Sequence, residues 1–185
     1  MEKPLNVNDH SVKAWNAIYR RDYIEKYSIT FPTECTLSSE DIIFTAKATY
    51  YSKRSIPVVG TNYHYTMWEG SGTTSRPELL KDLLIGNSMT IEFINSVDYE
   101  NKEDYLTAFK RCIWRYDIVF KTDLKHEGFT QQMQHELFRQ FVENYKTCKY
   151  PSEFREKYYE AYFEYMDFDL FEDYLEYAKK ENKRR

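Results

Sequence analysis

The chain has 185 residues, 42% hydrophobic and 30% charged, and a net charge of −4. That length holds one domain with a real core, and five Gly and five Pro argue against both disorder and a turn-rich sandwich. No apolar leader and no window near 18 apolar residues is present, and the three widely spaced cysteines (Cys35, Cys112 and Cys148) lack a disulfide or metal spacing, so the expectation is a cytoplasmic protein with reduced thiols.

The hydrophobic fraction leans on 18 Tyr and 12 Phe. Tyrosine can sit at a surface with its hydroxyl in water, so part of that fraction belongs to interfaces.

In chain order, Val12, Trp15, Ile18, Tyr19 and Tyr23 recur at helical spacing and predict a first helix over about 9–27, capped by Asn8 or Asp9, with Lys13, Arg20, Arg21 and Lys26 on its other face. Ser38 or Ser39 followed by Glu40 and Asp41 reads as a helix start for residues 40–52, although that segment is also rich in β-branched and aromatic residues. "SIPVVG" and "TNYHYTMWEG", ending at Gly70, read as short strands. Ser75 with Glu78 forms a candidate capping box, Pro77 sits in a first turn and Gly86 follows the apolar run, which predicts a helix over 76–85 with Gly86 as its C-terminal cap. "SMTIEFINS" then reads as a strand with Met89, Ile91 and Phe93 on one face.

From Lys102 a helix carries Tyr105, Leu106, Phe109, Cys112, Ile113 and Tyr116, and "DIVF" continues as a strand or as the helix's last turn. Thr130 caps a long helix with Met133, Leu137, Phe138, Phe141, Val142 and Tyr145 on its stripe, and Ser152 caps another over 153–166. The expected fold is therefore α+β and predominantly helical: a 1–128 body holding a small central sheet of short strands, and a 129–185 C-terminal bundle of aromatic-rich acidic helices, packed as one compact unit.

Residues 158–178 hold nine aromatics and seven carboxylates without a single Lys or Arg, which leaves the rest of the chain at +3. Glu153, Glu156, Glu160, Glu164 and Asp167 fall within about 80° of arc on a straight helix. Asp169, Glu172, Asp173 and Glu176 cluster on nearly the opposite side, so a break is expected at "DFD", with Asp169 capping a second helix and Glu172 closing a capping box. A solvated helix face is the ordinary reading of such acids. Against it, like charges four residues apart repel by roughly 0.2–0.5 kcal/mol per pair, and four such pairs occur here.

These acids favour a non-enzymatic interaction protein whose partner is a basic protein surface, and the expected contact residues are Glu156, Glu160, Glu164, Asp167, Asp169, Glu172, Asp173 and Glu176. The nucleic-acid-binding channel of a nuclease is one such surface. In composition, and over the acidic C-terminal region only, the chain resembles the inhibitor proteins that phages and mobile elements use against host defence nucleases. That resemblance implies a block by phosphate mimicry.

The alternative is a ligand site at the loop around 64–76, where backbone amides, Gly70, Gly72, Ser75 and Arg76 would hold a phosphate and His64 would serve as acid or base. Its glycine spacing departs from the dinucleotide fingerprint at Ser75, and no GK[ST] follows. His10, His126 and His135 have no ligand spacing, "HELF" lacks the second histidine of a zinc protease, and no cofactor or metal is implied. Lys110, Arg111, Trp114 and Arg115 in "FKRCIWRYD" have the composition of a nucleic-acid contact, but a net acidic chain repels phosphate and direct nucleic-acid binding is not expected. The wide apolar arc of 154–166 is covered either by the same chain or by a second copy in a homodimer.

Overall fold

A computed structural model describes residues 13–36, 38–52, 56, 64, 66, 79–121 and 129–182. Among them are seven α-helices: α1 (Arg21–Lys26), α2 (Glu40–Tyr51), α3 (Leu79–Ser96), α4 (Lys102–Lys121), α5 (Gln131–Lys146), α6 (Pro151–Met166) and α7 (Phe171–Asn182). A 3-10 turn at Ala14–Asn16 precedes them. No strand occurs among the described residues, so the expected small sheet is not formed there, and its 88–96 segment is helix. The "SIPVVG" and "TNYHYTMWEG" segments lie outside the described residues except for Ile56, His64 and Thr66, which belong to no regular element. Two compact units, Met1–Ala108 and Phe109–Arg185, divide the chain within α4.

The largest correction is α3. It runs through Gly86, where the sequence predicts a cap, and takes in "SMTIEFINS", where the sequence predicts a strand. Leu80, Leu84, Asn87, Ile91 and Ile94 are buried along it, a stripe of alternating four- and three-residue steps that only a helix aligns. Gly86 is there for space. A Cβ at that position would stand 2.8 Å from the carbonyl oxygen of Ser39, so glycine lets α3 press against the residue that opens α2. Ser39 itself is left-handed, with φ 69°.

The first unit packs α2 against α3. Ile29, Phe44 and Ala48 form a buried cluster under Ala14, Tyr19, Tyr23, Ile24, Tyr27 and Tyr51. Tyr19 meets Phe44 edge-on at 5.2 Å between centroids, and Tyr27 stacks on Tyr51 at 4.4 Å. Seating these rings interrupts the expected first helix: Ala17 and Arg20 are extended, Ile18 is fully exposed, and only Arg21–Lys26 is α-helical. The threonines that make α2 and α3 look strand-like donate their hydroxyls back to the preceding turn, Thr45 to Asp41 O, Thr49 to Thr45 O and Thr90 to Gly86 O, at 2.6–2.7 Å. Bonded in this way they are buried like apolar residues.

In the second unit, Phe109, Cys112, Ile113, Tyr116 and Val119 of α4, Leu137, Phe138, Phe141 and Val142 of α5, Phe154 and Met166 of α6, and Phe171 of α7 are buried. "DIVF" is the last part of α4, not a strand. Thr130 caps α5, its hydroxyl accepting from Met133 N at 3.2 Å. Asn144 Nδ2 donates to Tyr116 Oη at 2.6 Å, which gives that buried hydroxyl a partner.

Candidate functional site

The acidic segment is a pair of helices with a break where the sequence places one. α6 begins at Pro151, a residue suited to a first helical turn, and the Tyr150 carbonyl accepts from Phe154 N at 2.9 Å, so Tyr150 and not Ser152 holds the cap position. After Met166 the chain leaves the helix for four residues, and α7 opens with the Leu170 carbonyl accepting from Tyr174 N. Leu170 thus takes the position expected of Asp169.

Arg155 Nη1 donates to the Met166 carbonyl at 3.4 Å, and its Nη2 pairs with Asp167. Eleven residues of straight helix cover about 16 Å, beyond the reach of an arginine side chain, so α6 changes direction between Arg155 and Met166. The single straight arc of Glu153, Glu156, Glu160, Glu164 and Asp167 is broken by that turn. Tyr159 donates to the other oxygen of Asp167 at 2.8 Å, while the Arg155 guanidinium lies 4.6 Å over the Tyr159 ring. Partial burial works against the Asp167 charge, but the hydrogen bonds from Arg155 and Tyr159 prevail and hold its carboxyl below the ordinary range.

Basic side chains from outside the segment lie against several of the other acids. Lys146 of α5 pairs with Asp169 at 2.7 Å, His135 Nδ1 of α5 lies 3.3 Å from Glu172, and Lys180 lies 3.8 Å from Glu176. The like-charged neighbours Asp169 with Asp173 and Glu172 with Glu176 are therefore partly compensated, which a reading of α6 and α7 alone cannot show. All these pairs are well solvated, and each contributes on the order of 0–1 kcal/mol. Glu156 and Asp173 are exposed without a cationic partner among the described residues. Glu160 and Glu164 lie on α6, but their side chains are outside the description.

What remains coherent is the outer face of α7. Glu172, Asp173 and Glu176 are all exposed and fall within about 100° of arc. The opposite face is fixed to α5: Phe171 and Tyr174 pack on Phe138 at 5.5 and 5.6 Å, and His135 meets Phe171 edge-on at 4.7 Å. One turn before Asp173, Leu170 is 59% exposed, an apolar side chain beside the acids that nothing in the sequence singles out.

No family model, curated protein or solved structure matches this chain. Of the alternative loop, His64 is exposed, and Gly70, Gly72, Ser75 and Arg76 lie outside the described residues. Among the described residues no group of three or more His, Cys, Asp or Glu side chains could hold a metal ion, and no helix is long and apolar enough to cross a membrane.

Proposed function

We propose that the protein is a non-enzymatic interaction protein that docks the outer face of α7 onto a basic surface of a partner protein. The observation that carries this reading is the exposure of Glu172, Asp173 and Glu176 on one face of a helix whose other face is committed to α5. Convergent carboxylates steer a basic partner and fix its register, and an exposed leucine at their edge supplies apolar contact. Of the wider set, Asp167 and Asp169 precede α7 in the chain and are assigned to holding the α6–α7 connection, where Arg155 and Lys146 meet them. The nucleic-acid channel of a defence nuclease is one basic surface that such a face would fill, as an anti-defence inhibitor would.

The test is retention of proteins from cytosol on the immobilised chain at low and high salt, compared with a Glu172→Lys, Asp173→Lys, Glu176→Lys variant of matched circular dichroism. A basic protein held by the wild type, released by salt and lost at least tenfold by the variant is the expected result. Equal retention by the two chains rejects the reading.

A further inference from the structure

The first unit holds a run of tyrosine rings in contact where α1 meets the end of α2. Tyr23 meets Tyr27 at 5.4 Å between centroids, Tyr27 meets Tyr51 at 4.4 Å, Tyr51 meets Tyr50 at 5.0 Å, and Tyr50 meets Tyr99 at 5.3 Å. Of these contacts, Tyr27 with Tyr51 is parallel, with 10° between the planes, and the other three are edge-on at 64–79°. The hydroxyls differ as well. Tyr23 Oη donates to the Ala48 carbonyl at 2.5 Å and Tyr50 Oη to the Asp98 carbonyl at 2.7 Å, and partial burial pushes both hydroxyls above the usual phenol range. Tyr27 and Tyr51 are half-buried, and neither hydroxyl is bonded to another group among the described residues.

We propose that Tyr27 and Tyr51 are a site of oxidative cross-linking, at which a one-electron oxidant joins the two rings through a carbon–carbon bond. Each phenol gives up one electron to the oxidant and its hydroxyl proton to water, which leaves two phenoxyl radicals. The unpaired electrons occupy orbitals perpendicular to the ring planes, with density on the carbons ortho to oxygen, so a bond between two ortho carbons forms most directly from stacked rings. Each of those carbons then sheds its hydrogen as a proton while the oxygen takes one up, and both phenols are restored. Two electrons and two protons are lost in all, and a peroxide acting through a metal centre is the oxidant that accepts the electrons. Edge-on rings set the same orbitals at a large angle. The hydroxyl protons of Tyr23 and Tyr50, moreover, face carbonyl oxygens, which are very weak bases. Geometry and proton release therefore both select the stacked pair. The bond has a structural consequence: α1 has six residues, too few to hold a helix alone, and Tyr27 follows it while Tyr51 ends α2. A link between them ties α1 to α2 and closes a loop that restricts the unfolded chain.

The experiment illuminates the dilute full chain with tris(bipyridine)ruthenium and peroxodisulfate, which ends as sulfate, and analyses the monomer fraction by tryptic digestion and mass spectrometry. Cleavage after Lys26, Lys47 and Lys53 separates residues 27–47 from 48–53. The expected product is these two peptides joined, lighter than their sum by two hydrogen atoms, with fragmentation placing the bond at Tyr51 and not at Tyr50. Tyr27→Phe and Tyr51→Phe, which keep the ring contact, are each expected to lose the product at matched circular dichroism, and Tyr23→Phe and Tyr50→Phe to keep it. In urea the preference for this pair is expected to vanish. The linked chain is expected to unfold at a higher thermal midpoint than the unlinked one. A monomer without a bond, a bond at another tyrosine pair, a product that survives Tyr27→Phe or Tyr51→Phe, or equal yield in urea overturns the proposal. An unchanged midpoint overturns its structural consequence, that the bond holds α1 to α2.

Discussion

Gly86 shows how one residue can be misread from sequence and still be decisive. A glycine after an apolar run ordinarily ends a helix, but here it sits inside one because the Ser39 carbonyl leaves no room for a Cβ. Gly86→Ala would improve helix propensity by about 1 kcal/mol, yet overpacking against fixed backbone costs roughly 1–3 kcal/mol. The expected outcome is a net loss on the order of 1 kcal/mol, read as a lower thermal midpoint; an unchanged or higher midpoint would show that α2 yields. Asp167 makes a second prediction at this scale. Its carboxyl is held below the ordinary value of 3.8, so the folded chain binds that proton less readily than the unfolded one. The stabilisation is present above 3.8 and is lost as pH falls through the lower folded value. Because the pair with Arg155 is partly solvated, Asp167→Asn should cost only about 0.5–1 kcal/mol at neutral pH, and the gap to wild type should close in acid. A gap independent of pH would mean that the carboxylate charge is not what Arg155 and Tyr159 recognise.

Among the elements, those with a clear stripe and a local start signal are legible in sequence. The expected helices over 40–52, from Lys102, after Thr130 and up to Met166 are all present, as is the break at "DFD". Thr130 is the clearest start, and Thr130→Ala should cost about 1 kcal/mol, with amide exchange quickening first at the N-terminal turn of α5. Uniform quickening would place the effect elsewhere than in the cap. α3 is legible over 79–85, where the sequence predicts a helix, but its continuation past Gly86 is not, for two physical reasons. Asn87 interrupts its apolar stripe although it is fully buried, and Met89, Ile91 and Phe93 alternate as in a strand while the stripe that packs is Leu84, Asn87, Ile91 and Ile94. The first helix is missed for a different reason: its aromatics do have helical spacing, but the chain that seats their rings on α2 is broken by extended residues at Ala17 and Arg20 into a 3-10 turn and the short α1.

For the whole molecule, the uneven charge of the sequence does not translate directly into a field. Seven carboxylates without a Lys or Arg between 158 and 178 look like an uncompensated block, but Lys146 comes from α5, Arg155 from the start of α6 and Lys180 from beyond the segment. Sequence locates the acids and cannot locate their counter-charges, since only the fold brings α5 beside α7. Of the eight candidate contact residues, Glu172, Asp173 and Glu176 share one exposed face of α7, and Leu170 joins them only through its exposure.

The three thiols have a practical consequence. Cys35, Cys112 and Cys148 are all buried, and burial pushes the Cys112 thiol up to about 12 and raises that of Cys35, so neither readily forms the thiolate that reacts with maleimides. A single cysteine introduced at an exposed position such as Asp173 would then take a fluorophore selectively in the otherwise native chain. The protein is in this sense already prepared as its own reporter, with a dye placed on the helix face whose occupancy is in question.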